Sequence, residues 1–242
     1  MRSYRSWDTL PEAIESALAQ TAFKLPGNKY GILAVVPVED KRTSKIFSKY
    51  GIEVIHTAEP DITVQSNVGF SAADSDYVLV FDSDDHMYPN MLLSLTLAAS
   101  QGKADLVYCD YEMWGPDGFE GVVTLADPGY TLDQGCYITE LCLYRRYSWA
   151  VLGGFDESLW RYAQWDYFLR AQRKGMNLVH IPFQGFRYRV SPSQLSSKLH
   201  RGEMKEKDGP VWERFCAKNN LSNAQTLGHG GAWKDWEVSC PV

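Results

Sequence analysis

Residues 78–89, VLVFDSDDHMYP, constrain the fold of this chain more than any other stretch. The apolar run from Tyr77 to Phe81 passes directly into Asp82, Ser83, Asp84 and Asp85. A continuous apolar run with β-branched residues is the signature of a strand buried on both faces, as in a mainly parallel sheet. YGILAVVPV (30–38) repeats that signature, IEVIHT (52–57) is a weaker third strand and DLVYCD (105–110) a fourth. Helical spacing fills the intervals. Leu10, Ile14 and Leu18 recur every four residues behind Asp8, with Pro11 in the first turn, and NMLLSLTLAASQG runs to Gly102. The order is that of an α/β fold with right-handed crossovers.

In open α/β sheets, ligands bind beyond the carboxyl ends of the strands, where Asp82, Asp84 and Asp85 would emerge. Carboxylates held that close repel one another unless a cation joins them. Oxygen donors suit Mg²⁺ or Mn²⁺, and Mg²⁺ completes its shell with waters and ligand phosphates. The cluster therefore points to a metal and a diphosphate; the competing reading is an acidic turn that caps a helix starting near Pro89.

With 242 residues, 45% of them hydrophobic, the chain is long enough for one large domain or two small ones. Its formal charge of -6 excludes a sequence-wide basic field that would draw it onto nucleic acid. Cys109, Cys136, Cys142, Cys216 and Cys240 are odd in number and lack CxxC spacing, which argues against a disulfide framework and a zinc site. No signal-peptide core and no apolar run of about 18 residues is present, so no transmembrane segment and a cytoplasmic location are expected.

VQSNVGFSAADSDYVLVFDSDD, then VLGGFDESLWRYAQWDYFLRAQRKG about seventy residues later, then YRVSPSQLS, resemble the family 2 glycosyltransferases in order and spacing, and PEAIESALAQT resembles that family's first helix. The resemblance covers most of residues 2–198. It implies a GT-A, Rossmann-like three-layer fold with a mainly parallel central sheet, a nucleotide-diphospho-sugar donor, a hydroxyl acceptor and Mn²⁺ or Mg²⁺. The Asp-X-Asp motif falls on Asp82, Ser83 and Asp84. Asp84 would hold the metal, Asp82 would touch the nucleotide ribose or the metal shell, and Asp85 lies beside them. Tyr4, Arg5, Glu39, Asp40 and Asn67 are the other expected donor-binding residues; Glu39 and Asp40 are displaced by Pro37 and Val38 from the usual place of the base-reading acids. Asn67 is read either as a donor contact or as part of a turn before a short helix at 71–73. Gly153 and Gly154 open the GGFDE turn on the acceptor side, with Trp165 and Arg189 nearby.

The chain departs from the family pattern at the catalytic base and the third metal ligand. Gln164 stands where the base is expected and Asp166 in the place of a second, structural aspartate. Either Asp166 deprotonates the acceptor, or the base is absent and the chain is retaining, weak or non-catalytic. Ser191 occupies the position of a metal-binding histidine; His200 is the candidate replacement, and His86 is read as a supporting or surface group. Trp160, Tyr162, Trp165 and Tyr167 crowd the acceptor side, where they either stack on a sugar or base or pack a helix. The family's first strand is missing at Met1, and WEVSCPV at the other end resembles it, so residues 237–242 are either that strand by circular permutation or a tail with accidental similarity.

These readings give one domain over 1–242: a donor half (1–110), an acceptor half (111–200), a helix and connector (201–236) and the candidate strand (237–242). The expected activity is metal-dependent glycosyl transfer with inversion. The alternatives are a non-catalytic nucleotide-sugar or glycan-binding module and, last, a nucleotidyltransferase. The acceptor class stays open between glycan, small molecule, protein and modified nucleic acid; a nucleic acid would require Arg145, Arg146, Arg161, Arg170, Arg187 and Arg189 to cluster. Oligomeric state is likewise open.

Overall fold

The helix expected behind Asp8 forms as α1 (Leu10–Leu18), with Pro11 in its first turn, where a missing N–H costs nothing. Thr9 takes the capping position instead of Asp8, and its hydroxyl donates to the Ser83 carbonyl at 2.9 Å. That bond ties the start of α1 to the acidic loop. In this computed structural model, residues 1–27, 29–123, 131–192, 198, 203 and 205–221 are described. His200, the connector from 222 and the candidate strand 237–242 lie outside the described residues.

The strands form two sheets. β1 (Leu33–Pro37) and β2 (Glu53–Thr57) pair in parallel, with α2 (Lys41–Lys49) between them in sequence. The larger sheet has the order β3 (Tyr77–Leu79), β7 (Leu143–Arg145), β5 (Leu106–Gly115), β8 (Leu178–Arg189), β4 (His86–Met87), with β6 (Gly118–Val123) also on β5. Among the described residues, only β5 and β8 pair in parallel there; the other strand pairings are antiparallel. The sheet is thus more mixed than its apolar runs imply, because β4 and β7 are short reversed segments and β6 returns from β5 as a hairpin. The helices are α3 (Ile62–Ala72), α4 (Met91–Gly102), α5 (Arg146–Val151), α6 (Ala163–Arg173) and α7 (Lys205–Asn219). Among the described residues, no helix is long and apolar enough to cross a membrane.

The core follows from this layout. Leu95 and Ala99 of α4, Leu106 and Val107 of β5, and Tyr144 of β7 are all buried in one cluster with Phe155, Tyr167 and Phe168. Trp165 and Tyr162 carry that cluster to Trp212 and Phe215 of α7.

Residues 1–3 join the two sheets. Arg2 is bridged in parallel to Val35 on one side and Asp82 on the other. Its N–H donates to the Phe81 carbonyl at 3.1 Å, Val35 N–H donates to Met1 at 2.8 Å and Ser3 N–H to Val35 at 3.2 Å. One extended segment therefore separates β1 from the loop after β3, about two strand spacings of 4.8 Å across. Behind Met1 the gap continues as a cavity of about 810 Å³ lined by Ile32, Leu33, Phe70, Leu79 and Phe81. Arg2 is thereby placed beside the middle of β1 and just beyond the carboxyl end of β3.

Candidate active site

An arginine on an extended segment between β1 and the end of β3 has little room, and its guanidinium turns into the cleft floor. Arg2 is 6% exposed and grips Asp82 with both arms, Nε to Oδ1 at 2.5 Å and Nη2 to Oδ2 at 2.8 Å. The same Nη2 donates to Glu140, just before β7, and Nη1 donates to Ser66 Oγ of α3 at 3.1 Å. Burial alone would lower the Arg2 pKa, but Asp82 and Glu140 hold it well above its ordinary value. Such two-armed arginine–carboxylate pairs fix orientation as well as charge. Glu140 keeps 30% of its side chain exposed and Asp82 37%, so both carboxylates open to the cleft above a buried cation.

Gln164, at the first turn of α6, completes this floor. With its amide oriented to satisfy both neighbours, its nitrogen donates to Glu140 Oε1 at 3.2 Å and its oxygen accepts from Arg2 Nη1 at 3.1 Å. Burial pushes the Glu140 carboxyl up, and Arg2 pulls against that shift.

The acidic loop divides its work. Asp85 points inward and accepts from the Arg189 N–H at 3.0 Å. Burial drives its pKa well up, and the charges of Asp84 and Asp82 add to the effect. Asp82 and Asp84 are half-exposed. The three carboxylates therefore repel as the sequence implies, and the hard oxygens of Asp82 and Asp84 fit Mg²⁺ or Mn²⁺ with phosphate oxygens completing the shell. No group of three side chains able to hold a metal is present among the described residues. Arg189, expected on the acceptor side, instead spans this loop and α1, donating to the Asp84 carbonyl at 2.8 Å and to Glu12 at 2.6 Å.

Beside the loop, Tyr4, Arg5 and Glu39 form a surface group. A hydrogen bond to Glu39 raises the Tyr4 pKa, and the Arg5 guanidinium lies 4.9 Å from the Tyr4 ring centre. Asp40, expected at the donor, is buried and committed within the protein. It accepts from Arg5 N–H at 2.7 Å, Trp7 Nε1 at 3.1 Å, and the Thr43 N–H and hydroxyl at 3.1 and 2.7 Å at the start of α2.

Several expected contacts prove to be scaffold. Asn67 lies inside α3, not in a turn, and its amide clasps the GGFDE turn: Nδ2 donates to the Phe155 carbonyl at 2.9 Å and Oδ1 accepts from Phe155 N–H at 3.0 Å. Gly153 and Gly154 both have positive φ, 77° and 78°. A Cβ on Gly154 would meet Asn67 Oδ1 at 3.1 Å and the Trp149 ring at 3.2 Å, so glycine is required there for φ and for space. Trp165, expected on the acceptor side, is buried, donates to the Leu132 carbonyl at 2.8 Å and packs on α7. Trp160, Tyr162 and Tyr167 are likewise buried. Arg145, Arg161, Arg170, Arg187 and Arg189 each face a carboxylate rather than forming an open basic mouth.

Asp166 has surroundings unlike those of a base. It is 0% exposed, and its oxygens accept from Arg170 at 2.7 Å, Lys218 at 3.0 Å and Asn219 at 3.0 Å. Arg170 also donates to the carbonyls of Leu152 and Gly154, so Asp166 ties α6 and α7 to the GGFDE turn. Asp166→Asn is expected to lower stability by about 3 kcal/mol, because a buried ion pair loses one partner and leaves the other uncompensated. Urea unfolding measures this; a stable variant that has lost only turnover would return Asp166 to the chemistry.

Sequence reasoning missed Arg2 and Glu140. The available signal was their residue type alone, since each meets Asp82 or its partner only through the folded chain.

The family description that matches this chain is Glycosyl transferase family 2, over residues 1–187. A Bacillus subtilis (strain 168) protein described as "Uncharacterized glycosyltransferase YwdF" is 27% identical over 203 residues, covering 80% of this chain and 72% of that one. Among solved structures, S. aureus TarS 1-349 in complex with UDP aligns with a TM-score of 0.61 at 18% identity, covering 90% of this chain and 69% of that one. The same TarS region in complex with UDP-GlcNAc aligns with a TM-score of 0.67 at 18% identity, covering 90% and 64%. Those likenesses establish the GT-A fold.

Proposed function

This chain belongs to glycosyl transferase family 2 and is a glycosyltransferase, and from that premise we propose that it moves a sugar from a nucleoside-diphosphate donor to a hydroxyl acceptor, with Mn²⁺ or Mg²⁺ and with inversion. The observation that carries the reading is the pair of half-exposed carboxylates, Asp82 and Asp84, at the strand ends above the buried Arg2. Asp84 and Asp82 would hold the metal, which supplies Lewis-acid relief of the charge that develops on a diphosphate leaving group.

The protein's own part is positional. Arg2 locks Asp82 in one orientation before any ligand arrives, so the carboxylate does not reorganise on binding. Asp85, held by the Arg189 backbone, fixes the loop that presents Asp84. Tyr4 offers a partly exposed ring next to Glu39, suited to a nucleobase face and edge. The UDP bound by the TarS structures makes uridine the first base to test.

The test is thermal unfolding with UDP, GDP, CMP and dTDP, each with and without Mn²⁺. A ligand bound only by the folded state stabilises it by about 2.7 kcal/mol at a hundredfold excess over Kd. A Mn²⁺-dependent rise in Tm with UDP alone is expected. No rise with any nucleotide removes the donor reading.

A further inference from the structure

A glycosyl transfer with inversion calls for a general base that reaches the acceptor hydroxyl, and the carboxylates around the cleft differ in their freedom to act as one. Asp82 and Asp84 are taken by the metal in the donor reading, and Arg2 already grips both oxygens of Asp82. Asp85 is buried against the Arg189 backbone. Asp166 is 0% exposed and triply bound. Glu140 differs from all of them. It sits on the same cleft floor, shares the Nη2 of Arg2 with Asp82, and keeps 30% of its side chain open. One oxygen is held by Arg2 and the other by Gln164, while a carboxylate has about four acceptor sites, so each oxygen retains capacity for a substrate proton.

From this geometry we propose that Glu140 is the general base of the transfer and that Gln164 is its positioning residue; the assignment rests on the donor reading given above. A carboxylate at position 164 would stand 3.2 Å from Glu140, and two carboxylates that close cannot both stay ionised. An amide at 164 avoids the conflict and donates a hydrogen bond that orients Glu140. The charged groups that face Glu140 are Arg2, Asp82 and Arg161; the Glu140 charge in turn acts on the thiols of Cys136 and Cys142 and the phenol of Tyr144, whose pKa values are raised first by burial. The glutamine that departs from the family pattern is then explained: the carboxylate has moved across one hydrogen bond.

In the step itself, Glu140 accepts the proton of the acceptor hydroxyl as that oxygen bonds to the anomeric carbon. The bond from that carbon to the diphosphate oxygen breaks, and its electron pair leaves with the nucleoside diphosphate. The proton passes from Glu140 to solvent. Attack from the face opposite the leaving group inverts the anomeric centre.

The experiment follows UDP release from UDP-glucose, UDP-galactose and UDP-GlcNAc with Mn²⁺ and water as acceptor, for the wild type and Glu140→Gln. Loss of a general base lowers kcat by about 10²–10⁴-fold, with the UDP-induced rise in Tm unchanged and with added formate restoring at least about tenfold of the rate, as an external base replaces a missing one. Release by Glu140→Gln within threefold of wild type overturns the assignment and leaves the donor reading standing. A wild type that releases no UDP also overturns it, and UDP binding then decides the donor reading separately. Should Glu140→Gln not fold, Glu140→Asp keeps the charge against Arg2 but withdraws the carboxylate by one methylene; a rate equal to wild type in that variant overturns the proposal, and a loss of about tenfold or more with normal UDP binding supports it.

Discussion

Arg2→Ala is expected to destabilise the protein by about 3 kcal/mol, the lower end of the range for breaking a buried ion pair by removing one partner. Arg2 is 6% exposed and compensates two carboxylates at once. Without it, Asp82 and Glu140 face each other with Asp85 close behind. The lower end applies because Asp82 and Glu140 retain 37% and 30% exposure and recover some hydration. Arg2→Lys should fall between, since an ammonium cannot bind one carboxylate with two arms and reach a second. The deficit also has a sign in pH. Burial already pushes the Glu140 carboxyl up and Arg2 opposes that shift, so removing Arg2 raises it further. An acid whose folded pKa lies above its unfolded value costs nothing below the unfolded pKa and destabilises progressively as pH rises through the folded one. Urea unfolding at pH 5 and pH 8 should therefore show the larger loss at pH 8. A loss under about 1 kcal/mol at both would mean that Arg2 is not the cation of this floor.

The distance in sequence between these partners explains what could and could not be read in advance. Arg2 meets Asp82 across 80 positions and Glu140 across 138; no local pattern encodes such a pairing. β1 and α4, by contrast, were legible because a strand buried on both faces must be continuously apolar and α4 is bounded by Gly102; β3 carries the same apolar signal although it is half-buried and stands at the end of the strand order, against β7. α3 runs through the place where the sequence suggests either a donor contact or a turn before a short helix at 71–73. It buries Thr63, Gln65 and Ser66 along with Phe70 rather than a continuous apolar stripe, since its inner face serves Arg2, the Ser3 carbonyl and the kinked backbone at Trp160. Amphipathic reading fails where a helix packs its polar side on a site. Trp165 takes the packing alternative: an aromatic next to a catalytic position suggests stacking as readily as packing, and its indole is engaged by α7 and the Leu132 carbonyl.

Asp84→Asn tests the other half of the site, and its expected effect is kinetic. The substitution keeps the shape of the loop, since Arg189 holds the backbone carbonyl of residue 84 and the side chain of Asp85. It removes one negative charge from a cluster whose mutual repulsion is visible in the raised pKa of Asp85, which burial causes first and Asp84 and Asp82 reinforce. Stability should therefore stay level or rise by a few tenths of a kcal/mol, the scale of substitutions outside buried networks. Turnover should not. A carboxylate that shares in relieving leaving-group charge contributes several kcal/mol to the transition state; with about 4 kcal/mol lost, UDP release falls about a thousandfold. Measuring Tm and UDP release on the same preparation separates the two meanings of an acidic turn. A cap holds structure and leaves chemistry alone, so a variant with lower Tm and normal release would make Asp84 a cap. Unchanged or higher Tm with release lost, and with the Mn²⁺-dependent UDP shift gone, would place the charge of Asp84 in the reaction, where metal and diphosphate would offset the crowding that Arg2, engaged with Asp82, leaves uncompensated.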